Sequence, residues 1–164
     1  MAIRHKRKTT GSYVWQSSDL VEGQIGVNTV DATLHVRDSE GRIATVGGGI
    51  HFWAIASANL AALRVATLDG SGQWIYATTA TPGHAEQALA FLRSAATASA
   101  QTEALLFGPH EDSGWSWDIS KPIWLGADGQ LTQIQPTADF YRVVARPLSP
   151  TVVLFQPEPG VVFA

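Results

Sequence analysis

Cysteine is absent from this 164-residue chain, which excludes disulfides, thiol catalysis and cysteine-ligated zinc or iron–sulfur centres. Charge is scarce as well: Asp, Glu, Lys and Arg make up 15% of residues, against roughly 25% in a typical soluble domain. A lone copy with so few charges has difficulty covering its surface, so other chains are expected to cover part of it. No apolar run approaches the ~20 residues of a bilayer-spanning helix. The basic start runs into Thr9-Thr10-Gly11-Ser12 rather than an apolar segment. That is not the pattern of a secretory signal, so folding in a cytoplasm is expected, with no membrane partner.

Catalytic signatures are missing too. The five histidines are His5, His35, His51, His84 and His110, and no two stand at metal-ligand spacing. There is no Gly-x-Ser-x-Gly elbow, and Gly47-Gly48-Gly49 lacks the downstream lysine of a phosphate loop. Asp69-Gly70 and Asp128-Gly129 have neither the repeated acidic spacing nor the closing glutamate of a calcium loop, and read as turns. His110-Glu111-Asp112 is the densest polar cluster, and it reads as a solvated turn after Gly108-Pro109. No converging acid, base and nucleophile emerges. The expectation is a protein that is no enzyme and has neither cofactor nor metal site.

What charge there is lies unevenly. Four of the 11 basic residues (Arg4, Lys6, Arg7 and Lys8) fall within the first eight positions, leaving 7 against all 14 acidic ones. An acidic body argues against nucleic-acid binding, which needs clustered Lys and Arg. The basic tip suits a solvated arm or an acidic neighbour. A weaker reading has residues 4–8 touching nucleic acid.

The pattern along the chain is that of an all-β protein. Residues 1–18 read as an extended arm whose Tyr13, Val14 and Trp15 need burial against something else. Short alternating segments follow at 23–28, 33–38 and 42–47, separated by turn residues. Strands so few and short bury too little to stand alone. Gly47-Gly48-Gly49 marks a boundary, dividing an N-terminal arm with short hairpins (residues 1–49), to which the resemblance below assigns attachment and trimerisation, from a small β-barrel or sandwich (residues 50–164) with at most one short helix. Residues 60–67 suit either helix or strand. Residues 85–101 favour helix by composition but lack a coherent apolar stripe, and two strands, 87–93 and 103–107, are expected there instead. Beyond Trp115, prolines at strand starts and edges fit a compact β fold.

Three tryptophans stand out as candidate contact residues: Trp115, Trp117 and Trp124. Trp115 and Trp117 flank Ser116, so a strand would point both to one face. Such a pair either packs in the core or at a subunit interface, or forms a platform on which sugar rings stack.

Two stretches resemble virion proteins of tailed bacteriophages. From Lys6-Arg7-Lys8-Thr9-Thr10 through Leu20-Val21-Glu22-Gly23-Gln24-Ile25-Gly26-Val27-Asn28 to Leu34-His35-Val36-Arg37-Asp38-Ser39-Glu40-Gly41, the chain resembles the N-terminal attachment module of phage fibres, with Gln24 where glutamate is usual. From His51 onward, most closely at Ala61-Leu63-Val65, Asp69–Ala77, Trp115–Trp117, Pro122–Thr132 and Pro136–Phe155, it is similar to small β-barrels of capsid-cement, head-fibre and fibre-tip proteins. The resemblance implies a homotrimer without cofactor, located in the virion. Its partners would be the major capsid protein or tail components, and Arg4, Lys6, Arg7, Lys8, Tyr13 and Trp15 would provide the particle attachment. A short tail fibre or adaptor contacting host surface glycans is the alternative it allows.

Overall fold

The computed structural model describes residues 5–8, 25–28, 33–37, 43–46 and 49–163. They fall in two units, Met1–Gly48 and Gly49–Ala164. In the first unit, β1 (His5–Lys8), β2 (Ile25–Asn28), β3 (Thr33–Arg37) and β4 (Ile43–Val46) form one sheet in that order. The last three pair antiparallel, as short alternating segments separated by turn residues should. β1 shows part of the expected extended arm as a strand, whose pairing the sequence did not reveal. It adds to β2 in parallel, with His5 opposite Ile25 and Lys8 opposite Asn28, so the basic segment contributes its backbone to a sheet.

The second unit is mostly β, a curled half-barrel. It begins with β5 (Ile50–Ile55), β6 (Arg64–Leu68), β7 (Trp74–Tyr76), β8 (Ala90–Leu92) and β9 (Gln101–Glu111). Next come β10 (Ile123–Leu125), β11 (Leu131–Thr132), β12 (Phe140–Tyr141), β13 (Val143–Pro147), β14 (Val152–Phe155) and β15 (Val161–Val162). The main sheet runs β11-β10-β13-β14-β9-β8-β6-β7, with β5 also on β9, while β12 and β15 pair separately. Helix is confined to one-turn 3-10 segments at Pro82–Ala85 and Ala127–Gly129 among the described residues. None there is long and apolar enough to cross a membrane.

The Ala-rich stretch resolves as β8 and the start of β9, joined by an irregular link. Burial decides it. Ala90, Phe91 and Leu92 are all inaccessible to solvent, Phe91 in one apolar cluster and Ala90 and Leu92 in another. A strand with every residue buried must be apolar on both faces, which erases the alternation that sequence reading relies on. β6 is sandwiched likewise, with Val65 in the first cluster and Ala66 in the second. The first cluster fills the curl of the sheet with Phe91, Leu105, Ile123, Leu125, Phe140, Val144, Val153 and Phe155. The second lies on the outer face around Trp74, closed by Leu60 and Ala96, whose backbones bond each other in both directions at 2.8 Å.

The turns follow their residues. Asp69 Oδ1 accepts from the Ser71 and Gln73 N–H groups between β6 and β7. At the β10–β11 turn, Asp128 (φ 49°) and Gly129 (φ 71°) are left-handed. The Gly129 N–H donates to the Ala77 carbonyl at 2.6 Å. A Cβ at Gly129 would sit 2.2 Å from the Val65 carbonyl oxygen, so both the conformation and the close approach require glycine.

Among the described residues one cation is buried. Arg142 is 7% exposed; its Nε donates to the Glu158 carbonyl at 2.6 Å, and Nη1 donates to the carbonyls of Gln87 (2.7 Å) and His84 (3.1 Å). It ties the C-terminal segment to the loop before β8, and burial lowers its pKa. Nearby, the His84 imidazole is pushed below its ordinary pKa, chiefly by burial. Its Nδ1 accepts the Thr78 N–H at 3.1 Å, a bond that needs the ring's lone pair.

Candidate functional site

The Trp115–Trp117 segment has no regular secondary structure, and is not the strand that the alternation predicted. Hydrogen bonds hold it at both ends. The Asp112 carboxylate accepts from Gly114 N–H and its carbonyl from Trp115 N–H, while Trp117 N–H donates to the Pro150 carbonyl at 2.9 Å. Gln133 then clamps the exit: its Oε1 accepts from Asp118 N–H, and its Nε2 donates to the carbonyls of Asp118 (2.7 Å) and Lys121 (3.1 Å). The Asp118 carboxylate takes two hydrogen bonds from Ser120 and an ion pair with Lys121 at 3.2 Å, which hold its pKa down at about 2.

Both indoles nonetheless point the same way. Their ring centres are 5.7 Å apart at 59°, continuing an aromatic chain outward from the core. In that chain Phe155 packs on Phe91 (5.7 Å), Phe91 on His110 (5.1 Å), and His110 edge-on against Trp115 (5.5 Å). This corrects the reading of His110-Glu111-Asp112 as a solvated turn. His110 and Glu111 end β9, paired with Val153 and Val152, and the His110 ring is half-buried. Burial first, then the Arg93 charge, lowers its pKa, with Asp112 opposing.

Trp115 and Trp117 are partly buried against the inner cluster and form one wall of an open cleft of about 310 Å³, shared with Leu63, Arg64, Gln130 and Leu131. Two donors here lie buried without a hydrogen-bond partner, Arg64 Nη1 and Trp117 Nε1. Leu63 holds a left-handed backbone (φ 59°) where the chain turns into β6, a conformation that costs a leucine about 1–2 kcal/mol. Arg64 escaped sequence reading because only the fold brings it beside the tryptophans.

Trp124 does not join them. On β10 its neighbours Ile123 and Leu125 are fully buried, so alternation turns Trp124 to the other face. There it meets Tyr141 edge-on at 5.4 Å, and Tyr141 packs on Phe163 at 5.5 Å. Of the attachment candidates, Lys6, Arg7 and Lys8 lie on β1, whereas Arg4, Tyr13 and Trp15 lie outside the described residues.

A second surface had no place among the sequence candidates. On β5, Ile50 is 60% exposed, Trp53 49%, Ile55 46% and Phe52 44%; Phe107, which pairs with Ile50, is 42% exposed. Ala54 packs on the outer cluster and Phe52 meets Trp74 edge-on at 5.9 Å. Trp53 and Ile55 alternate onto the opposite face. β5 pairs on one side only, with β9, among the described residues. The signal was the apolar run Ile50–Ile55, interrupted only by His51.

Among the described residues no group of three or more His, Asp or Glu could hold a metal ion. No protein-family model, curated protein or solved structure matches this chain.

Proposed function

We propose that this chain is a structural protein of a tailed-phage virion, a homotrimer that decorates the capsid as a head fibre or cement and attaches through its N-terminal residues. The observation that carries the shared-assembly part is β5. A strand edge lined by Ile50, Phe52, Trp53 and Ile55 is an aggregation hazard if left open, and large exposed apolar patches mark association surfaces. Covering it with a symmetry mate removes the hazard. The phage part rests on the short motifs of residues 6–41 and on those of the C-terminal unit.

Light scattering on the 17.5-kDa chain should give the mass of three copies, and labelled protein should appear on heads as well as on whole particles. Deleting residues 1–18 should abolish addition to stripped capsids. A stable monomer sinks the trimer, and heads that never carry the protein sink decoration.

A second reading, a short tail fibre or adaptor that contacts host glycans, is favoured by one observation: the paired indoles of Trp115 and Trp117 form the wall of an open cleft.

A further inference from the structure

We infer that the cleft between Arg64 and the Trp115–Trp117 pair is a binding site for a sugar ring bearing a carboxylate, such as a uronic acid. The inference rests on the receptor reading of that face and names its ligand class.

Apart from the Gln130 amide, the polar side chains of the cleft are donors. Arg64 Nη1 and Trp117 Nε1 belong to residues that line the cleft; both are N–H donors, both are shut off from solvent at the atom, and neither has an acceptor, so a ligand reaches them through a shift of the two side chains. An arginine donates only, as does an indole nitrogen, so nothing but an acceptor satisfies either. Leaving a buried donor unmade is costly, and no carboxylate lines the cleft to meet them. The guanidinium selects further: carboxylates match its planar fork and form hydrogen bonds about twice as strong as neutral ones.

The rest of the lining selects for shape. Leu63, Leu131 and the two indoles line the cleft as well, side chains on which the C–H face of a pyranose can pack, and Gln130 can donate to or accept from a hydroxyl. At about 310 Å³ the cleft stands at the lower end of small-molecule sites, roughly 300–1,000 Å³, so it suits one ring rather than a long chain. Anion, ring and size together describe an acidic monosaccharide unit.

The test uses the whole protein, ¹⁵N-labelled, and follows its indole N–H signals by NMR, with Trp117 assigned through Trp117→Phe. Three probes are titrated: sodium glucuronate, glucose (the same ring without the carboxylate) and sodium acetate (the charge without the ring). Glucuronate should shift the Trp117 indole saturably, with glucose and acetate each at least about tenfold weaker. Arg64→Gln should weaken glucuronate about tenfold or more, the loss of one charge-assisted contact. Arg64→Lys, which keeps the charge and is the gentler change, should recover only part, because the fork is gone. Spectra of each variant without ligand report whether the fold survives.

Equal binding of glucose overturns the carboxylate assignment and leaves the glycan reading of the tryptophans standing. Equal binding of acetate reduces the site to a bare anion pocket and overturns the sugar. No shift with any probe overturns the site and the receptor reading together. None of these outcomes bears on the trimer, which is read from mass.

Discussion

β8 and β5 flank the same strand. Leu105 of β9 has Phe91 of β8 on one side and His51 of β5 on the other, and both neighbours are short apolar strands. Yet all three residues of β8 are sealed from solvent, whereas four of the six in β5 are exposed. The difference lies in what each meets next. β8 has β6 on its far edge and a cluster on either face. Among the described residues β5 ends the sheet, with Ala54 packed on the outer cluster and Phe52 against Trp74. Hydrophobicity therefore marks both core and contact surface here, and position in the sheet tells them apart.

The largest effect is expected at the centre. Phe91→Ala should cost about 3–5 kcal/mol, the usual loss for an aromatic removed from a packed core, read from denaturant titration. Trp53→Ser with Ile55→Ser on β5 should change folding stability by less than about 0.5 kcal/mol at low protein concentration while lowering the mass in light scattering. If the β5 pair proves as costly to folding as Phe91, the distinction between the strands collapses.

Charge repeats the contrast at Glu158. Arg142 reaches its carbonyl from within, and Arg146 reaches its carboxylate across an exposed gap of 2.6 Å. Arg142→Met leaves three carbonyls without their donor, that of His84 in a buried bond and those of Gln87 and Glu158 in part-buried ones, and should cost about 2–4 kcal/mol. Arg146→Met should cost no more than about 0.5 kcal/mol. Thermal unfolding of the two variants side by side measures the difference.

A smaller effect is expected from pH. His84 and His110 both have lowered folded-state pKa values, so below the ordinary value near 6.5 the unfolded chain binds more protons than the folded one. Their contribution is fully present above that pH and is lost as pH falls toward the folded values. Tm should drop between pH 7 and 5, and His84→Gln should flatten part of that slope. A Tm unchanged or rising over this range contradicts the burial assigned to both rings.

Much of the fold was legible because turn chemistry is local. Asp69-Gly70 and Asp128-Gly129 fall where hairpins close, and the strands of residues 23–47 lie within two residues of the expected bounds. Residues 87–107 were harder, since Ala90, Phe91 and Leu92 satisfy two cores at once and show no period. The parallel strand at His5–Lys8 was invisible: its partner β2 lies across a long connection, and Lys6, Arg7 and Lys8 favour solvent by composition. At the candidate site the tryptophan pair was legible from its spacing. Arg64 was not, because its neighbourhood depends on residues far along the chain, Trp115, Trp117, Gln130 and Leu131. Trp124 shared the others' residue type but not their face.

The place of β14 in the sheet, between β9 and β13, has a consequence for synthesis on the ribosome. Until Val152–Phe155 emerges, the Gly108–Glu111 end of β9 lacks the partner it pairs with in the finished sheet, and Phe91 and Leu105 have no Phe155 or Val153 to close over them. Such distant pairings form slowly and late. A nascent chain halted before this point would carry an open, sticky half-barrel, the kind of intermediate that draws chaperones or aggregates.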